Sequence, residues 1–151
     1  MAEVGGLQYA GKRVIVVGAA SGVGAATARL LIDLGAEVHA IDAERPDYSG
    51  YASASVCGDD VEVDATIVKI GHVVNALFVC AGTPPVAAAV PLMLDDAAIA
   101  TVGEPAAAPV RSNSVVPNDA ASDDVAWVLA FLNSPRAAAV DGVIVELSRP
   151  R

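Results

Sequence analysis

At 151 residues the chain is sized for one domain, 1–151, and 54% hydrophobic residues are ample for a packed core and argue against disorder. A net charge of −9, with nine scattered lysines and arginines and no basic stripe, argues against nucleic acid and anionic membrane as partners. Aromatics make up only 4%, so packing rests on Ala, Val and Leu. Cys57 and Cys80 lie in apolar segments without metal-ligand spacing. They read as buried free thiols in a reducing compartment, and the expected location is cytoplasmic. The opening stretch MAEVGGLQYAGKR does not read as a signal peptide.

In chain order, RVIVVG (13–18) is a β-branched run ending at glycine, which predicts a strand buried on both faces. Residues 25–34 are rich in helix formers, and Gly35 supplies a C-cap. AEVHAID (36–42) predicts a second strand, completing a βαβ unit. AERPDYSGYAS is a polar, turn-rich loop, ASVCG (54–58) a short third strand, and 64–70 a short helix. NALFVCAG (75–82) predicts a strong fourth strand. Residues 73–94 carry no formal charge and are long enough to span a bilayer, but Pro84 and Pro85 would break a helix there. A buried strand followed by a loop is the better reading. Proline and alanine dominate 83–109, with a short helix expected around 94–101. VRSNSVVP (110–117) reads as a weaker strand. SDDVAWVLAFLNSP reads as a helix capped near Ser122 and stopped by Pro135, and DGVIVELS (141–148) as the last strand. The alternation implies an abbreviated, doubly wound, mainly parallel α/β sheet of about six strands, Rossmann-like, with helices on both faces.

Gly18, Gly22 and Gly24 follow GxxxGxG spacing at a strand-to-helix junction. A side chain on the close glycines would hold the backbone away from a pyrophosphate, while the helix start offers free N–H groups and a positive dipole end. A tight turn alone would also use glycine. The context, with a strand before, a helix after and an acid at the next strand end, points to a dinucleotide. That acid, Asp42, can accept hydrogen bonds from both adenosine ribose hydroxyls and would repel a 2′-phosphate, so NAD is expected over NADP. The plain alternative for Asp42 is a solvated turn. Ser21 offers a phosphate no cation, whereas Arg45 is placed to swing back toward one.

VVGAASGVGAATARLL resembles the short-chain dehydrogenase/reductase family. CGDDV (57–61) looks like the end of the family's third strand, whose aspartate touches the adenine amino group; Asp60 takes that role, with Asp59 as its rival and Val61 beside it. VCAG (79–82) is similar to the family's Asn-Asn-Ala-Gly, with Val79 and Cys80 in place of both asparagines. The stretch from Asp123 to Ser148 resembles the family's penultimate helix and final strand, and VRSNSVVPN its strand beside the nicotinamide, with Asn118 where glycine is usual. The resemblance implies a cofactor site of Gly18, Ser21, Gly22, Val23 and Gly24 at the phosphates. It adds Asp42 and Ala43 at the ribose, Asp60 and Val61 at the adenine, and Cys80, Ala81 and Gly82 along the fourth strand.

The family's catalytic part is missing. In the family the fourth strand is followed by a long helix, then a strand carrying the catalytic serine and a second long helix carrying Tyr-x-x-x-Lys, yet only 83–109 fills that space. The tyrosines are Tyr9, Tyr48 and Tyr51, the lysines Lys12 and Lys69, and no tyrosine has a lysine four residues later. His39 and His72 read as structural or exposed, Asn113 as a strand-end contact, and Trp127 with Val128 and Phe131 as core or interface. Ser112 and Ser114 could approach the nicotinamide side, but no base accompanies them. No catalytic residue and no metal site is assigned.

The expected function is therefore NAD binding of short-chain dehydrogenase/reductase type, related to oxidoreductases acting on secondary alcohols and ketones, with weak or no family-type catalysis. One alternative is a working NAD(H)-dependent oxidoreductase of hydroxysteroid or carbonyl type with a non-standard site and an unknown small-molecule substrate. Another is a non-catalytic structural or interaction module. The apolar edge stretch GVIVELS and the last helix predict a homodimer through 122–148.

Overall fold

The computed structural model describes residues 6–71 and 73–150, so His72 lies outside the described residues. In chain order the elements are β1 (Arg13–Val17), α1 (Gly22–Asp33), β2 (Glu37–Asp42), β3 (Ser53–Val56), α2 (Asp60–Ile70), β4 (Val74–Val79), α3 (Val86–Ala89), β5 (Met93–Val102), β6 (Arg111–Val116), α4 (Ser122–Leu132) and β7 (Ile144–Glu146). The strands form one sheet in the order β3-β2-β1-β4-β5-β6-β7, and every adjacent pair is parallel. The doubly wound α/β reading holds, with seven strands where about six were expected.

The extra strand is β5. Residues 94–101, expected as a short helix, are extended and pair with β4 (Ala98 beside Ala76) and β6 (Ala98 beside Arg111). Alanine is the best helix former, but propensity is a weak prior. In mid-sheet the backbone finds bonding partners on both sides, and Ala97, Ala98, Ile99 and Ala100 are all buried.

Boundaries also differ: α1 starts at Gly22 rather than Ala25, and β3 and β4 end at Val56 and Val79. Helix α2 starts at Asp60 rather than Asp64, because Asp59 caps it by accepting from the Glu62 N–H at 2.9 Å, while Glu62 reaches back to accept from the Gly58 N–H at 3.0 Å. Ser122 is the first residue of α4, and Ala121, without a side-chain hydrogen bond, holds the cap position. Strand β7 is shorter than residues 141–148.

Two layers cover the sheet. On one face α1 and α4 pack over Val14, Val16, Phe78 and Val115, with Leu31 and Leu129 fully buried between them. Tyr9 joins this core, its hydroxyl donating to the Ala130 carbonyl at 2.6 Å, and burial pushes the phenol pKa far upward. On the other face α2 and α3 cover Ile15, Leu77 and Ile99. The β5–β6 connection, residues 103–110, contains no helix and is shorter than the roughly dozen residues a parallel crossover ordinarily takes. Its Ala106 and Ala108, with Val110, pack on this second face.

The β2–β3 connection also lacks a helix. Tyr48 and Tyr51 meet edge to face at 5.9 Å on the flank of α1, where the Arg29 guanidinium lies 5.0 Å from the Tyr48 ring. His39 bonds Ser53 at 2.7 Å and Glu37 at 2.8 Å, a structural role. Asn113 is structural too: its amide donates to the Val140 carbonyl at 2.8 Å, and its oxygen accepts from the Val143 N–H at 3.0 Å.

Candidate functional site

The strand order reverses between β1 and β4, and a parallel sheet opens a crevice at the carboxyl ends of its strands at such a point. Gly18 turns the chain there with φ +88, and a Cβ on it would come within 2.8 Å of Ala81. Gly24, one turn into α1, lies so close to β1 that a Cβ would sit 1.7 Å from the Gly18 oxygen. Gly22 differs: at φ +58, a Cβ would meet nothing within 4 Å. The backbone is thus open where the helix starts. Ser21 makes no side-chain cap and the first turn of α1 holds no acid, so the positive end of the helix dipole is left uncompensated.

Asp42, at the tip of β2, accepts from the Ala20 N–H at 2.9 Å and from the Glu44 N–H at 2.9 Å. One carboxylate therefore holds the glycine turn in place and keeps lone pairs for a ligand. Beside it lies a cleft of about 200 Å³, walled by the ends of β1, β2 and β4 and the start of α2. Among the described residues lining it are Asp42, Asp59 and Asp60, and no lysine or arginine. Arg45 is exposed outside it.

The structure sorts the sequence-derived site residues into groups. Gly18, Asp42, Ala43, Asp60, Ala81 and Gly82 line the cleft. Ser21 and Gly22 lie at the head of a separate, wider groove of about 620 Å³ between α1 and α4. Val23 and Cys80 turn inward against the core, and Gly24 is buried. Burial pushes the Cys80 thiol up to about 12, so it is a packing group rather than a nucleophile. Val61 points away, 76% exposed, and is not in the lining. Gly58 and Thr83 line the cleft without a site role expected for them; Gly58 ends the expected third strand and Thr83 follows the fourth, which is the available signal. The arrangement pairs unengaged N–H groups with carboxylate acceptors, a chemistry suited to a ligand bearing phosphates and vicinal hydroxyls.

Asn118 turns the chain after β6 at φ +46, a conformation that Asn tolerates. Trp127 and Phe131 are 51% and 42% exposed, so of the two roles expected for them the core is excluded.

No protein-family model and no curated protein matches the sequence. Solved structures do match in fold. A doubly substituted mutant of a short-chain dehydrogenase/reductase from Serratia marcescens aligns with TM-score 0.76 at 15% identity, over 92% of this chain and 96% of that one. The ligand-free aldohexose dehydrogenase of Thermoplasma acidophilum gives 0.77 at 17%, over 95% and 98%. BdcA from E. coli gives 0.76 at 19%, over 92% and 99%. BdcA in complex with NADPH gives 0.75 at 17%, over 92% and 93%. With the sheet order, the glycine turn and these alignments together, the chain has the fold of the short-chain dehydrogenase/reductase structures, in a shortened form.

Proposed function

We propose that the chain binds NAD at the crevice between β1 and β4 and does so without the family's usual catalysis. The observation that carries this reading is Asp42, whose carboxylate both holds the Ala20 turn and lines the adjoining cleft. In this reading the N–H groups of Gly22, Val23 and Gly24, with Ser21, hold the pyrophosphate, and Asp42 with Ala43 holds the ribose hydroxyls. Asp60 takes the adenine amino group, because the Asp59 carboxylate is engaged as the α2 cap. Ala81 and Gly82 pass beneath the ribose. The three aspartates and the absence of a cation among the described lining residues disfavour a 2′-phosphate and support NAD over NADP. BdcA, by contrast, is described in complex with NADPH.

A bound dinucleotide supplies a hydride acceptor or donor. Carbonyl reduction also needs a proton donor, whose help is worth about 10²–10⁴-fold. Tyr9 is sealed in the core and bonded to Ala130, and Tyr48 and Tyr51 sit on the flank of α1. That distribution supports binding over turnover.

Calorimetric titration tests the reading. NAD is expected to bind, with NADP weaker by about tenfold or more. Gly22→Trp should abolish binding at a folding cost of about 1–2 kcal/mol, since a Cβ there meets nothing within 4 Å but the backbone is left-handed. No heat with NAD at millimolar concentration sinks the reading.

We also propose a cytoplasmic homodimer through α4 and β7. No helix among the described residues is long and apolar enough to cross a membrane. Trp127 and Phe131 on α4 and Ile144 on the terminal strand, 55% exposed, are large apolar side chains open to solvent. Sedimentation should show a dimer that Trp127→Glu with Ile144→Lys converts to monomer. A parent chain that stays monomeric at every concentration refutes the interface.

A further inference from the structure

Resting on the NAD reading above, we infer that the site continues past the adenine and takes a base whose exocyclic N6 carries an apolar arm ending in an amine. The first observation is a second recess of about 200 Å³ between the first turns of α2 and the segment 83–87 that follows β4. Asp60, Val63 and Thr83 wall both this recess and the cleft, so the two share a boundary and form one trough. Gly18 and Asp42 border the cleft alone.

The second observation is the order of these walls. In the NAD reading the phosphates lie at the start of α1, the ribose at Asp42 and the adenine amino group at Asp60. The trough runs in the same direction, because Asp42 borders only its first half and Asp60 borders both. The exocyclic nitrogen is then at the mouth of the second recess. That is the end of the ligand remote from the pyrophosphate, and hence from the nicotinamide. Adenine N6 bears two protons. Replacing one by carbon leaves the other to donate to the Asp60 carboxylate, while the new arm enters the recess.

The third observation is the chemistry of the recess. Pro85 is buried, and Val63, Pro84 and Val86 are half-buried, so most of the wall is apolar and suits methylene groups. Asp64, one turn of α2 beyond Asp60, adds a second carboxylate. No lysine or arginine is among the described residues that line the recess, and neither aspartate forms an ion pair among the described residues. An ammonium at the end of the arm is attracted there and a carboxylate repelled.

Calorimetric titration of the full chain with NAD, N6-(2-aminoethyl)-NAD and N6-carboxymethyl-NAD tests this. The amine is expected to bind at least as tightly as NAD. It should also bind tighter than the carboxylate by about tenfold or more, since attraction to two aspartates is exchanged for repulsion. Ala87, exposed on α3, lines the second recess and not the cleft. Ala87→Phe should therefore weaken the amine by about tenfold and leave NAD within about twofold. Asp64→Asn should narrow the gap between amine and carboxylate, again sparing NAD. If both analogues bind more than about tenfold weaker than NAD, the base edge is closed, which overturns the inference and leaves NAD binding intact. Analogues that bind alike and ignore Ala87→Phe overturn it as well, because the arm then lies in solvent. Silence from NAD and both analogues overturns the reading beneath, and the inference with it.

Discussion

Gly24→Ala will cost the fold about 3 kcal/mol or more, the upper end of what overpacking does, because the added carbon meets backbone and not a side chain that can swing away. Its Cβ would lie 1.7 Å from the Gly18 oxygen, 2.6 Å from the Gly18 carbonyl carbon and 3.3 Å from the Ala19 Cα. Those atoms belong to the turn that joins β1 to α1, and the turn is held by the Gly18 N–H bond to the Ile41 carbonyl at 2.7 Å and by Asp42 on Ala20. Relief requires either lifting α1 from the sheet, which opens the Leu31 core, or undoing the turn. Alanine's advantage over glycine within a helix, about 1 kcal/mol, offsets only part of this. Gly22→Ala is the internal comparison: its Cβ meets nothing within 4 Å, and only the left-handed backbone is penalised, by about 1–2 kcal/mol. Urea denaturation of both variants separates packing from backbone strain. A midpoint for Gly24→Ala no lower than that for Gly22→Ala would show that the close approach of helix to strand is not what holds this turn.

Arg111→Met should lower stability by about 2–3 kcal/mol, the range for losing charge-assisted hydrogen bonds and leaving their acceptors without donors. The Arg111 guanidinium gathers the carbonyls that end α4. It donates to Ser134 at 3.0 Å and to Ala137 at 2.8 Å, and also to Leu132. Burial pulls its pKa down, but guanidinium stays charged at any ordinary pH, so the positive group also faces the negative end of the α4 dipole. Methionine keeps the apolar stem and removes every donor. Thermal unfolding should shift by roughly 5–10 °C for a chain of this size. Arg111→Lys should recover only part of that, since an ammonium cannot reproduce the planar fork. Arg111 begins β6, at the opposite end of the strands from the cleft, so NAD affinity should be unchanged. A methionine variant that melts within about a degree of the parent would show the clamp to be idle.

The sequence alone determined the parallel α/β order, the glycine turn and the acid at the tip of β2. Each is a local signal. A β-branched run such as RVIVV matches a strand covered on both faces; Gly18 and Gly24 report close approaches that a Cβ would block, and Gly22 a left-handed turn that glycine adopts without strain. It also shows that no tyrosine of this sequence has a lysine four residues later. The capping pair Asp59 and Glu62 is written there too, but it lies ahead of a weakly apolar stretch, so periodicity alone points to a later helix start.

Only the tertiary structure decided β5. MLDDAAIATV has no strong period and alanines that favour helix; it is a strand because β4 and β6 stand on either side and complete its hydrogen bonds. The same holds for residues 103–110, whose path over the sheet is set by Gly103 on Val115 and by Ala106 and Ala108 on the Ile99 cluster, contacts distant in sequence or on another element. It holds as well for the division of the site residues. Spacing places Gly22, Val61 and Cys80 near a strand end, but whether each opens to solvent, points away or turns into the core depends on what packs beside it, and that is a property of the assembled sheet.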